Sequence, residues 1–320
     1  MAALAVVPAD EASGRPSGVQ VLRLLPTGLV GAVTPSPPRS ACLHASATVD
    51  TGGGTTAEVH LCGVCHVEPS SAEAVHDAVA CRADSLGGLR AVALECDSQT
   101  LVLIRCAHAA IKGLPRERVR TEGSERVRVA LHDSEEVRDL ARRRGANSDG
   151  PLDLPSSISH HLSGEGALWG DEMRAAAEAA EAMGAQVHCL GAAPLEAFER
   201  RKPESNRSPP PALGLFACWL RAHELCPGLD AHSCDTSVVD ACNTAMREWL
   251  PALHGELVTE PDERMAARLR LLCTQLVRTN KDDLAAGHGG AHTPPCMVAV
   301  VGAQHVPGIQ RALLRRAADH

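Results

Sequence analysis

Met297-Val298-Ala299-Val300-Val301-Gly302-Ala303-Gln304-His305-Val306, late in the sequence, repeats the shape of Leu61-Cys62-Gly63-Val64-Cys65-His66-Val67 early in it. Each is an apolar run that ends in Gly-x-x-His-Val and leads into a helix-like stretch. A glycine there lets the backbone turn out of a strand, and the histidine three residues later falls on the loop or first helical turn. α/β proteins place their chemistry at that point. The pair predicts an α/β fold, a mostly parallel sheet with flanking helices. If the two strands lie side by side, His66 and His305 converge on one site.

Outward from these segments the pattern alternates strand and helix. Ala57–Cys62 is β-prone and alternating, and Ser70-Ser71-Ala72-Glu73 offers a capping box into Val75, Ala78 and Val79 at helical spacing. Leu89–Leu94 is a short apolar run ending at Glu95, as expected of the second strand of a βαβ unit. Residues 114–148 are rich in Arg and Glu and read as solvated helix or loop. Residues 151–170 read as an irregular connection, with His160 and His161 as surface decoration. Met173, Ala176, Ala177, Ala180 and Met183 then share a helical face with Gly184 as its C-terminal cap. Gln186–Leu190 reads as a third strand and Leu257-Val258-Thr259-Glu260 as the end of another. Met265, Leu269, Leu272 and Leu276 form a core stripe, and Met297–Val301 is the final strand.

Composition narrows the classes. A chain of 320 residues with 44% hydrophobic content supports a sizeable core. A net charge of −8 and 2% aromatic residues, with no basic stripe, speak against nucleic acid as a partner. The thirteen cysteines are scattered singly and read as reduced core residues. No apolar run approaches the roughly 18 residues of a transmembrane helix. Residues 1–50 read as a disordered tail or a transit peptide, the latter implying a mitochondrion or plastid rather than the cytoplasm. Residues 51–320 read as the α/β domain, with a proline-rich linker near 202–211.

His66, His305 and Glu95, at the carboxyl ends of adjacent parallel strands, would make a histidine, histidine, carboxylate set suited to a divalent metal with an open position. Such a metal activates water for hydrolysis. Glu260 would be a fourth ligand or a general base. Cys62-Gly63-Val64-Cys65-His66 also matches the c-type haem attachment pattern. Haem attachment needs both thiols exposed, whereas the alternation turns Cys62 toward the core.

The same residues resemble the TraB/PrgY/GumN family, to which the Tiki metalloproteases are related. The similarity runs over most of Glu58 to Ala317. It is carried by Val59 to Val67, Ala91 to Glu95, Gly170-Asp171-Glu172-Met173-Arg174-Ala175-Ala176, and most specifically by Val298 to Ile309. The resemblance implies a fold like that of the erythromycin esterase and ChaN group. It further implies a site of His66, His305 and Glu95 holding Mn²⁺, Co²⁺ or Zn²⁺, and hydrolysis of a peptide or protein substrate. Arg201 matches one family arginine and is expected in the site. Three others are replaced. Thr100 stands after the first glutamate, Ala192-Ala193-Pro194 replaces Asp-Arg-Pro, and Glu260-Pro261-Asp262 replaces Glu-Arg-Asp. An arginine that binds a carboxylate or stabilises developing negative charge has no equivalent in Thr, Ala or Pro. The alternative expectation is therefore a catalytically silent interaction or regulatory module on the same fold.

Overall fold

The computed structural model describes residues 42–66, 70–83, 89–143, 170–191, 211–230, 233–285 and 293–315. Among these, five strands form one sheet: β1 (Cys42–Asp50), β2 (Thr56–Val64), β3 (Leu89–Leu94), β4 (Gln186–Cys189) and β5 (Cys296–Gly302). Their order across the sheet is β1-β2-β5-β3-β4. β1 is an antiparallel edge paired with β2, and all other pairings are parallel. The expected α/β class and mostly parallel sheet are present.

The helices are α1 (Ser70–Ala83), α2 (Ser98–Ile111), α3 (Arg116–Asp133), α4 (Glu135–Arg143), α5 (Asp171–Ala182), α6 (Pro211–Leu225), α7 (Thr236–Trp249), α8 (Pro251–His254), α9 (Glu260–Ala285) and α10 (Val306–Leu314). Among them, α1 and α5 cover one face of the sheet and α9 and α10 the other. β5 is buried along its whole length, and its side chains alternate between two cores. Met297, Ala299 and Val301 join Val59, Leu61, Ala91 and Ala93 under Met265, Leu269, Leu272 and Leu276 of α9 and Ile309 of α10. Val298 and Val300 join Cys62, Val64, Val92 and Leu94 under Val75 and Val79 of α1 and Met173, Ala176 and Ala180 of α5. The stripe read from the sequence of α9 is thus core. All thirteen cysteines are free thiols. No described helix is long and apolar enough to cross a membrane.

Two expectations need correction. Cys42–Asp50, assigned to the tail, form β1, whose Ala47 and Val49 are buried against the α9 layer. Leu257 to Glu260, assigned to a strand, are helical: a π turn at Gly255–Thr259 runs from α8 into α9. Pro251 opens α8 at its first turn, and the buried stripe of α9 fixes the downstream helix, so packing overrides the local β propensity of Val258 and Thr259. Residues 1–41, the connection 151–169, Arg201 and the linker 202–210 lie outside the described residues.

Candidate functional site

β5 lies between β2 and β3, so the carboxyl ends of these three strands stand side by side, where open α/β sheets bind ligands. His66 follows β2 by two residues. Its loop is tied to α1 by the Ser71 hydroxyl, which donates to the Cys65 carbonyl at 3.0 Å. Glu95 follows β3 directly, and its amide continues the ladder by donating to the Val300 carbonyl at 3.0 Å. His305 ends a short 3₁₀ turn, Ala303–His305, between β5 and α10. The structure brings these three predicted residues together.

The two motif glycines act differently from the turn-forming role read in the sequence. Neither has positive φ. A Cβ on Gly63 would lie 2.5 Å from Val306 Cγ2 and 2.9 Å from Ala303 Cα, so its absence lets the 3₁₀ turn settle on the end of β2. A Cβ on Gly302 would stand 3.1 Å from His66 Nε2, 3.3 Å from His305 Cδ2 and 3.4 Å from Glu95 Oε2. Gly302 therefore leaves a small cradle bordered by all three side chains.

Glu95 is the shared acceptor. Its Oε1 lies 3.2 Å from His305 Nε2, its Oε2 lies 4.0 Å from His66 Nε2, and Oε2 also accepts the Gly302 N–H at 2.5 Å. Each imidazole is held from behind by a second carboxylate. His66 Nδ1 is 2.6 Å from Glu172 Oε1, and His305 Nδ1 is 2.7 Å from Asp262 Oδ1. With Nδ1 of each ring against a carboxylate, each Nε2 is left facing Glu95. Glu172, in the first turn of α5, and Asp262, in the first turn of α9, are both buried. The His305 side chain is 1% exposed, whereas that of His66 is 26% exposed and forms the open side.

Burial works against the imidazolium of His305, but the carboxylates of Glu95 and Asp262 outweigh it and push its pKa up to about 10. Burial likewise works against ionised Glu95. The two imidazoles and the Gly302 N–H prevail, holding it at about 2. His66 is raised because Glu172 outweighs burial, and Asp262 is raised by burial despite its bond to His305.

Sequence reasoning missed Glu172 and Asp262. The latter was two residues from the acid it chose: Glu260 is exposed at the start of α9 and Asp262 is buried against His305. Residues two apart on a helix point roughly 200° apart, so Glu260 faces away from the His305 imidazole that Asp262 holds. Glu172 was visible as an acid opening a helix after Gly170, but nothing local ties it to His66, 106 residues away.

As the side chains stand, no group of three or more His, Cys, Asp or Glu among the described residues is arranged to hold a metal ion. Glu95 is engaged by His305 and by Gly302 instead. The donor chemistry nevertheless suits one: two imidazoles, each with Nδ1 on a carboxylate and Nε2 toward a common cradle, form the outer support typical of metal-binding histidines.

The chain matches no known family model and no curated protein.

Proposed function

We propose that the chain is a TraB-type module whose His66, His305 and Glu95 bind a divalent metal ion, and that it hydrolyses peptide bonds. The observation that carries this reading is the convergence of two carboxylate-backed imidazoles on Glu95 beside the Gly302 cradle. When bound, a divalent ion there would supply Lewis acidity and lower the pKa of water. The chain's own residues do the rest. Glu172 and Asp262 fix the histidine tautomers and keep Nε2 of each directed inward. The Gly302 N–H orients the Glu95 carboxylate. The partly exposed edge of His66 leaves one side for a substrate, and the enclosed His305 keeps water from the other.

Metal content tests the reading. Wild-type protein loaded with Mn²⁺, Co²⁺ or Zn²⁺ and desalted is expected to retain metal, and His66→Ala/His305→Ala is expected to lose it. Equal content in the two overturns the assignment.

A second reading, the silent module, draws on Thr100 and Pro261. Both occupy positions where the resemblance expects arginine, and both are buried within the fold, Thr100 with its amide bonded to Asp97. Metal retention without peptide cleavage would favour it.

A further inference from the structure

α9 turns a broad face to the core and a narrow one to solvent. Met265, Leu269, Leu272 and Leu276 pack under the sheet, whereas Arg264, Arg268, Leu271, Gln275 and Arg278 recur at steps of three or four residues and are all exposed. At about 100° per residue these five stay within about 40° of one line along the helix, a stripe roughly 21 Å long. Leu271, at its centre, is 56% exposed. Elsewhere the fold supplies carboxylates to its arginines: Arg105, Arg118, Arg128, Arg174 and Arg221 are all ion-paired. Arg264, Arg268 and Arg278 make no ion pair and no side-chain hydrogen bond among the described residues. In a chain of net charge −8, three uncompensated guanidinium groups therefore flank one exposed leucine.

Two occupants fit this stripe poorly. Glu260 and Asp282 close its two ends. A second copy of α9 packed antiparallel about Leu271 would set Arg264 against Arg278 and Glu260 against Asp282, and a parallel copy would set each charge against itself, so like charges meet either way. A lipid surface would find one leucine with no aromatic neighbour on the stripe, on a chain of negative net charge that anionic headgroups repel.

We propose that this face of α9 is the docking surface for an acidic amphipathic helix of another protein, packed antiparallel along it. Its glutamates or aspartates lie opposite Arg264, Arg268 and Arg278, and an apolar side chain lies against Leu271. Steps of three and four residues are the ridge spacing by which two helices pack side by side, and the antiparallel sense sets their dipoles head to tail. The planar fork of arginine takes a carboxylate through two hydrogen bonds, which fixes the register of the incoming helix. The charges set the choice of partner and the rate of encounter, while the leucine, once covered, supplies the hold. The surface lies outside the histidine site, and docking does not depend on whether that site holds metal.

The probe is a synthetic helical peptide that mirrors the stripe in reverse: Glu at the positions facing Arg278, Arg268 and Arg264, Leu at the position facing Leu271, and Ala and Gln elsewhere. It is titrated into the isotope-labelled full chain and followed by amide NMR, with fluorescence anisotropy of the labelled peptide giving the affinity. Saturable shifts are expected at amides of residues 264–278. Arg264→Glu/Arg268→Glu/Arg278→Glu should weaken binding by at least about tenfold, and a peptide with Lys in place of Glu should restore it. Leu271→Ser should weaken it several-fold. These side chains are exposed, so both variants are expected to keep the wild-type urea midpoint. Unmoved α9 amides at millimolar peptide overturn the proposal. So does poly-L-glutamate binding as tightly as the peptide with no dependence on Leu271, which would make the stripe a plain counter-ion surface. Binding to phosphatidylserine vesicles without peptide binding overturns it in favour of a lipid surface.

Discussion

The carboxylate of Asp262 occupies the space where a Cβ on Gly308 would stand. Gly308 lies in the first turns of α10, just beyond His305, so the missing side chain admits the acid that holds His305 Nδ1. Glycine in a helix usually costs about 0.5–1 kcal/mol relative to alanine. Here the sign reverses. Gly308→Ala is expected to destabilise by roughly 1–3 kcal/mol through overpacking, read as a lower urea midpoint with unchanged slope. Asp262→Ala/Gly308→Ala should lose less than the two single variants summed, because the first change empties the space the second fills.

Asp262→Asn and Glu172→Gln keep the shape of each acid while weakening its hold on the imidazole behind it. Each is expected to lower metal affinity about 10–100-fold without removing a ligand. Competition with a chromophoric chelator measures this. Unchanged affinity in both would mean that the carboxylates only fill space.

Gly302→Ala places a methyl group among His66 Nε2, His305 Cδ2 and Glu95 Oε2. The neighbours need to give only a few tenths of an ångström, so the far-ultraviolet circular dichroism spectrum is expected to remain native while metal uptake falls. Retained metal would show that the cradle is not where the ion sits.

The pH dependence of the metal-free protein has a definite sign. His305 is raised from 6.5 to about 10, so its contribution to stability is full below pH 6.5 and is lost as pH rises through 10. Glu95 is lowered from 4.5 to about 2, so its contribution is full above pH 4.5 and is lost as pH falls through 2. Stability from the pair is therefore greatest between pH 4.5 and 6.5. Glu95→Gln should flatten both flanks in urea unfolding measured from about pH 3 to 10. Metal uptake, which requires the Nε2 proton to leave, should strengthen with rising pH and release protons in buffer-dependent calorimetry.

The strands that bear the site were legible because apolar runs ending in Gly-x-x-His or in glutamate mark the carboxyl ends of β2, β5 and β3. Their adjacency was a condition that only the strand order could meet. Asp262 was hidden by a local β signal at Val258-Thr259 that the long, core-anchored α9 overrides. Glu172 was hidden because its partner is distant in sequence. β1 was hidden because Cys42–Asp50 follow a proline-rich stretch and alternate only weakly, and an edge strand with one buried face needs little more.

β5 separates β2 from β3, and its Gly302 meets a carboxylate 207 residues earlier in the chain. Until those late residues have been synthesised, the edges of β2 and β3 that face β5 are unpaired, and Glu95 lacks Gly302 and His305. The centre of the sheet can therefore close only once β5, the last of the described strands in the sequence, is present. Slow closure, with strand edges left open until it happens, follows from such long-range pairing.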